Sequence, residues 1–167
     1  MLLLLQQNIK IMTNQIGLPN EEVKQLQIEL NALLANFQLY YQNLRGFHWN
    51  IKGRHFFELH VKFEELYNDS QEKIDLIAER ILTLNHQPLH TFKDYIKYSE
   101  IKSAKNMSSD RKIMKHIMAS LQTLIILERK ILNTASEIED EGTTAMMSDF
   151  IGEQEKTVWM LNAWLKD

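Results

Sequence analysis

Five side chains within a 32-residue stretch could bind a transition metal: His48, His60, Glu64, Asp75 and Glu79. Imidazole nitrogens and carboxylate oxygens together are typical ligands of redox-active metals, most often iron. His60 and Glu64 are four residues apart and Asp75 and Glu79 repeat that spacing, so each pair shares one face of a helix. His60 and Asp75, however, lie 15 residues apart, which is roughly 22 Å along a straight helix. The spacing predicts either two separate sites or one site that a second copy of the chain completes.

Apolar residues at three-to-four spacing predict two long helices around these positions. The first helix begins at Pro19-Asn20, with Asn20 as its cap, and runs through His48. A short break over residues 51–54 separates it from the second helix. The second helix carries both ligand pairs and ends near residues 85–88, where Pro88 stops it.

The rest of the chain predicts a crossover and two more helices. Residues 88–107 form a long connection, in which Phe92, Tyr95 and Ile96 indicate one short helix. Ser108 or Ser109 caps a third long helix, Gly142 breaks it, and a fourth follows. This order predicts an all-α, ferritin-like four-helix bundle with a long crossover carrying a short helix between helices 2 and 3. We expect an N-terminal extension at 1–19 and one domain at 20–167.

Composition narrows the class of protein. The 167 residues include no cysteine, which excludes disulfides and thiolate metal sites and fits a reducing compartment. A net charge of −3 argues against a strong nucleic-acid footprint. The N-terminal leucine run is too short for a secretory signal, and no stretch is long enough to span a membrane. We therefore expect a cytoplasmic protein without membrane contact, translated from Met1 or from Met12.

Three motifs combine into one spaced pattern. They are Phe47-His48-Trp49-Asn50-Ile51-Lys52-Gly53, Phe57-Glu58-Leu59-His60 and Asp75-Leu76-Ile77-Ala78-Glu79-Arg80. An isolated HxxxE or DxxxE pair is more typical of a solvated helix surface, but the combined pattern H-x11-H-x3-E-x10-D-x3-E is highly specific. Over roughly residues 20–166, the chain resembles the Dps proteins, miniature ferritins that protect starved bacteria from iron and peroxide.

The resemblance implies a ferroxidase site shared by two chains. His48, His60 and Glu64 would come from one chain, and Asp75 and Glu79 would come from its partner. The two second helices would pair antiparallel across a two-fold interface, which makes two equivalent sites. The family often has aspartate at the position of Glu64, and the longer side chain could bind the metal directly or support His60. Trp49 could be a redox-active neighbour of the site or pack at the interface.

The same resemblance implies what the site does. Hydrogen peroxide would oxidise two Fe(II) per peroxide, and a hollow homododecamer would store the Fe(III) mineral and protect the cell from oxidative damage. Twelve chains of 19.8 kDa would weigh about 240 kDa. Iron is the expected metal, and zinc could substitute for it.

A second function, direct binding and protection of DNA in the nucleoid, is known for Dps proteins with lysine-rich tails. We do not expect it here, because residues 1–19 contain one basic residue, Lys10. The chain ends at Leu165-Lys166-Asp167 without a tail.

Several other polar and aromatic residues have two readings each. Acidic residues near the start of the fourth helix could line pores that admit Fe(II) or could form a solvated helix end: Asp140, Glu141, Asp149 and Glu153. Three acids could face an inner cavity and nucleate mineral: Glu64, Glu65 and Glu72. The other histidines should be exposed or hydrogen-bonded, and the tryptophans near the C-terminus should lie in the core or in contacts: His55, His86, His90, His116, Trp159 and Trp164.

Overall fold

The computed structural model describes residues 12–166, of which most lie in five helices. The expectations about the leucine run, Met1, Lys10 and Asp167 concern positions outside the described residues. The helices are α1 (Asn20–Asn50), α2 (Phe56–Thr83), α3 (Phe92–Tyr98), α4 (Asp110–Glu137) and α5 (Glu141–Trp164).

The four long helices form a bundle. α1 packs against α2 and α4, α4 packs against α5, and the short α3 lies on α1. Short connections at 51–55 and 138–140 make α1 and α2, and α4 and α5, antiparallel neighbours, whereas residues 84–109 cross between the two pairs. The core contains fully buried side chains from these helices, including Phe37, Phe47 and Phe63. The predicted bundle with a helix-bearing crossover is confirmed. Among the described residues, no helix combines the length and apolar character that a membrane span requires.

Three asparagines of α1 hold the crossover in place. The Asn36 side chain accepts hydrogen bonds from the backbone N–H groups of Glu100 and Ile101, at 3.0 Å each. Asn43 donates to the carbonyl of residue 102 at 2.9 Å and accepts from the N–H of residue 104 at 2.8 Å. Asn31 accepts from the N–H of residue 89 at 2.7 Å. Buried amides thus satisfy the backbone of a connection that has little regular structure of its own.

At three helix ends the sequence assigned the capping or breaking role to the wrong residue. Pro19 occupies the cap position of α1 and Asn20 is its first residue. α2 ends before Pro88 is reached, because Asn85 adopts a left-handed conformation with φ 65°. Gly142 lies inside α5, and Glu139 with φ 59° makes the break instead. A left-handed residue after a helix directs the chain away from the axis, which terminates the helix without proline or glycine. Ser109 does precede α4, but its side chain makes no capping bond.

The turn between α1 and α2 brings the ends of these helices together. Gly53 has φ 111°, a conformation that residues with a Cβ rarely adopt. The N–H of Lys52 donates to the carbonyl of Ser108 at 3.2 Å rather than to the helix. The carbonyl four residues earlier, that of His48, is therefore left without its usual helical donor.

Candidate metal centre

His48 and His60 form a stacked pair between the last turn of α1 and the first turns of α2. Their ring centroids are 3.7 Å apart and the planes differ by 17°. His48 Nδ1 lies 2.7 Å from the carbonyl oxygen of His60, and His60 Nδ1 lies 2.8 Å from that of His48. Each histidine therefore binds the backbone of the other. The His48 carbonyl is available for this bond because the Lys52 N–H points to Ser108.

These reciprocal bonds fix the tautomer of both rings. A carbonyl oxygen only accepts hydrogen bonds, so each Nδ1 must carry the hydrogen and donate it. In a neutral ring, Nε2 then keeps its lone pair, which is the state that binds a metal ion. The structure thus holds two imidazoles side by side with both Nε2 atoms suited to ligation.

Aromatic side chains enclose the pair on two sides. Phe56 stacks on the His60 ring at 5.1 Å with an interplanar angle of 18°. Tyr67 meets the His48 ring edge-on at 5.4 Å. Phe56 lies four residues before His60 and Tyr67 lies seven after it, so both share its helix face. That spacing could have predicted the aromatic contacts of His60 from the sequence, but the metal-ligand motifs do not include these two residues.

Glu64 is exposed and is linked to the histidine pair only indirectly, because Tyr67 contacts both Glu64 and His48. The Tyr67 hydroxyl donates to Glu64 Oε1 over a long 3.3 Å. Partial burial and the Glu64 carboxylate raise the pKa of the Tyr67 phenol. The bond orients Glu64 on the face that also carries His60. The structure therefore joins His48 and His60 directly and places Glu64 one helical turn after His60 on α2.

Trp49 lies beside this region but faces outward. Its side chain is 58% exposed, and the Arg45 guanidinium lies over the indole ring at 4.8 Å. The exposed indole is compatible with packing at an interface, and the guanidinium adds a cation–π contact. The redox role and the packing role of Trp49 both stay predictions.

Asp75 and Glu79 lie elsewhere on α2. Both are exposed, and neither carboxylate makes a hydrogen bond or an ion pair within residues 12–166. Within residues 12–166, no three histidine, aspartate or glutamate side chains lie close enough together to hold a metal ion. One chain therefore presents a histidine half, formed by His48 and His60, and a separate carboxylate half, formed by Asp75 and Glu79.

Asp140 is buried within its own chain, contrary to the exposed position that both predicted roles require. Its side chain is 1% exposed and pairs with Arg80 at 2.5 Å. It also caps α5, accepting from the Thr143 N–H at 2.9 Å. Glu153 pairs with Lys73. Glu141 and Asp149 are exposed, as are Glu64, Glu65 and Glu72, so a pore or cavity role for these five stays a prediction.

The remaining histidines differ in their surroundings. His55 Nδ1 lies 2.8 Å from Asp110, and this contact is the main cause that lowers the pKa of the Asp110 carboxyl. His90 Nδ1 lies 3.1 Å from the Pro88 carbonyl. His116 is half-buried, its Nδ1 has no hydrogen-bond partner within residues 12–166, and burial lowers its pKa.

One of the two C-terminal tryptophans lies outside the core. Trp159 is 67% exposed, whereas Trp164 packs against the core. A core role is therefore excluded for Trp159 within one chain, and a contact role stays a prediction.

Comparison with known proteins places this arrangement in a family. The model of the ferritin-like domain matches residues 27–167. The DNA protection during starvation protein of Porphyromonas gingivalis is 43% identical over 148 residues, which cover 89% of this chain and 93% of that protein.

Solved structures agree with the sequence comparison. The Dps protein of Vibrio cholerae, described as a member of a broad superfamily of ferritin-like diiron-carboxylate proteins, matches with a TM-score of 0.91 and 52% identity over 92% of this chain and 97% of that one. Dps from Listeria innocua, soaked with zinc, matches with a TM-score of 0.81 and 26% identity over 84% of this chain and 95% of that one. The chain therefore belongs to the ferritin-like family and, within it, to the Dps miniferritins.

Proposed function

We propose that this protein is a ferroxidase that oxidises Fe(II) with hydrogen peroxide at sites between two chains and stores the Fe(III) as mineral. The stacked pair of His48 and His60 carries the proposal, because reciprocal bonds leave both Nε2 atoms free to bind. Neutral imidazole suits Fe(II), and carboxylates favour Fe(III). A site made of both would bind the substrate and favour its oxidation.

The exposed face of α2 supports completion of the site by a second chain. Along this face, residues recur at alternating spacings of four and three, as in a helix seam that packs on another helix. We call this face the α2 seam; apart from half-buried Ala78 its members are exposed. They are Phe57, Val61, Glu64, Asn68, Gln71, Asp75, Ala78 and Leu82.

The α2 seam is symmetric about the midpoint of α2, between residues 69 and 70. A second copy laid antiparallel across that midpoint places Glu64 opposite Asp75 of the partner subunit. The same register places Phe57, 83% exposed, opposite Leu82 of the partner subunit, 58% exposed within its own chain. One two-fold operation thus covers exposed apolar side chains and brings Glu64 to the carboxylate half of the partner subunit.

His60 and Glu79 lie beside the α2 seam and fit the same register. They are equally far from the midpoint of the helix, so His60 of one chain falls opposite Glu79 of the partner subunit. Both ligand pairs therefore meet in a single arrangement, and the two-fold axis generates two such sites. Glu64 would lie between the two halves, where its longer side chain can reach either the iron or Tyr67.

The proposed reaction balances with iron as substrate. Each of two Fe(II) ions gives one electron to hydrogen peroxide, and its O–O bond breaks. With two protons, the products are two Fe(III) ions and two water molecules. The histidines would hold Fe(II) from one chain while Asp75 and Glu79 of the partner subunit stabilise the higher charge of the product.

Assembly and location complete the proposal. A homododecameric cage would enclose the mineral. Its compartment would be the cytoplasm, since a chain without cysteine forms no disulfides and needs no oxidising compartment. Zinc could occupy the same imidazole and carboxylate ligands. Residues 1–19 would form an extension to the domain at 20–167. We infer that DNA is protected by removal of iron and peroxide rather than by direct binding.

The test is peroxide-driven oxidation under anaerobic conditions. Fe(II) is added first, peroxide second, and Fe(III) formation is followed by absorbance. The parent should oxidise two Fe(II) per peroxide. His60→Ala should slow the reaction by on the order of 100-fold or more, because it removes a proposed ligand, and loss of a residue that only orients a ligand already costs about 10-fold to 100-fold. His90→Ala, at an exposed crossover position, should match the parent. Equal rates in all three proteins would contradict the proposal.

A further inference from the structure

Each of the four long helices contributes one buried polar side chain to the middle of the bundle. Tyr40, Lys73, Glu128 and Gln154 come from α1, α2, α4 and α5, and none is more than 4% exposed. Glu128 Oε1 accepts a hydrogen bond from Gln154 Nε2. A buried polar group destabilises the fold unless it is hydrogen-bonded. The presence of four such side chains at one level of the bundle therefore requires an explanation.

A cleft of about 250 Å³ opens to the surface between α2 and α5 and is lined by two members of the cluster. Glu128 lies behind Gln154, to which it is hydrogen-bonded. Tyr40 and Gln154 line its inner part, and Asp69 and Glu153 line its mouth. The Lys73 ammonium joins the two carboxylates, bonding to Asp69 and, at 2.7 Å, to Glu153. The space exceeds what one water molecule occupies in the liquid, roughly 30 Å³.

Three buried atoms of the cluster have no hydrogen-bond partner within residues 12–166. They are Tyr40 Oη, Gln154 Oε1 and Glu128 Oε2. Each unsatisfied group of this kind destabilises the fold by roughly 1–3 kcal/mol. The hydroxyl can donate and accept, and the other two oxygens accept when Glu128 is ionised. A small neutral molecule with both donors and acceptors would satisfy all three.

A metal ion does not fit this set. Lys73 already supplies a positive charge to the carboxylates at the mouth. Within residues 12–166, no three histidine, aspartate or glutamate side chains are close enough to hold a metal ion. The chemistry that remains is that of a hydroxylic ligand in a polar space, for which water is the simplest member.

We propose that this cleft is a hydrated proton-transfer site, in which water bonds to Tyr40 Oη, Gln154 Oε1 and Glu128 Oε2 and connects Glu128 to the mouth at Asp69 and Glu153. The proton leaves the Glu128 carboxyl for the adjacent water, and the chain of waters passes a proton to solvent; uptake reverses each step. The site lies on the buried side of α2, away from the α2 seam, and does not depend on the iron chemistry.

The surroundings of Glu128 suit proton exchange near neutrality. Burial raises the pKa of Glu128 to about 7, while the Gln154 bond, Lys73 and Arg129 oppose the rise. Asp69 adds to the rise, and burial and Asp69 also raise the pKa of Tyr40, which keeps the phenol protonated. Titratable and charged groups facing the cluster are Tyr40 from α1, Glu65, Asp69 and Lys73 from α2, Arg129 from α4 and Glu153 from α5.

Infrared difference spectroscopy of the whole protein tests the proposal. The parent should show a carbonyl stretch of a protonated carboxyl that disappears with a midpoint near pH 7. After transfer into D2O, that band should shift within the mixing time, because water reaches the carboxyl. Glu128→Gln should lack the band, and Glu137→Gln, an exposed position on the same helix, should keep it.

Two results would overturn the proposal. One is the absence of a titrating band that Glu128→Gln removes; the other is a band that exchanges as slowly as core amide hydrogens, which indicates a dry cleft. A crystal structure of the parent gives a second readout that needs no variant. It should show water within hydrogen-bond distance of the three oxygens, and an empty cleft would contradict hydration.

Discussion

The two halves of the candidate site lie on one helix but are built differently. His60, near the start of α2, is fixed by a ring stack and by two hydrogen bonds shared with His48. Asp75 and Glu79, near its end, are exposed and make no side-chain bond within residues 12–166. An imidazole must present one particular nitrogen and therefore needs a fixed tautomer, whereas a carboxylate can bind through either oxygen.

The histidine half is thus formed within one chain, whereas the carboxylate half is expected to gain its contacts only when two chains assemble. The histidine half needs the turn at Gly53 and the contact between Lys52 and Ser108, both of which lie within one chain. The carboxylate half needs no support from its own chain, because its partner is expected to be the other subunit. Substitutions in the two halves should therefore have different consequences for stability even where both abolish iron oxidation.

The largest expected difference is in stability. His48→Ala removes a side chain that is 8% exposed, together with its stack and its bond to the His60 carbonyl. We expect a loss of about 2 kcal/mol in the free energy of unfolding. Asp75→Ala should change it by less than about 0.5 kcal/mol, as for other surface positions. Urea unfolding of both variants measures this, and equal losses would show that the halves are not built differently.

A smaller effect is expected where the two halves meet. Tyr67→Phe keeps the ring against His48 and removes the 3.3 Å hydrogen bond to Glu64. Since one neutral donor to a carboxylate contributes about 1 kcal/mol, Fe(II) affinity should fall by roughly threefold to tenfold. Binding isotherms under anaerobic conditions measure this. Tyr98→Phe, on the crossover, is the control, and an unchanged affinity in Tyr67→Phe would assign Glu64 to direct ligation without help from the phenol.

Sequence reasoning reached the fold and the ligand residues because both depend on local spacing. Apolar periodicity predicted the four long helices, and four-residue spacing predicted which ligands share a face. The reciprocal bonds of His48 and His60 were beyond reach, because they depend on where the Lys52 N–H points, which a contact with residue 108 decides.

Residues with ordinary helix propensities were also misjudged. Asp140 looked like one acid in a charged run, but it is buried against Arg80. Glu128 and Gln154 follow no motif, so their pairing across two helices could not be read from either sequence segment. Packing between helices determines which polar side chains are buried and paired, and this packing cannot be inferred from a single sequence.

The claim that each site draws on two chains is tested most directly by complementation. His60→Ala and Asp75→Ala are each expected to lack the rapid phase of Fe(II) oxidation when expressed alone. When they are coexpressed, a dimer with one chain of each kind has one site carrying both substitutions and one site carrying neither. Random pairing should restore about a quarter of the parental number of active sites, counted from the rapid phase of Fe(II) oxidation by peroxide. Activity no higher than that of the single variants, in oligomers shown to contain both chains, would mean that the site lies within one chain and would contradict the account.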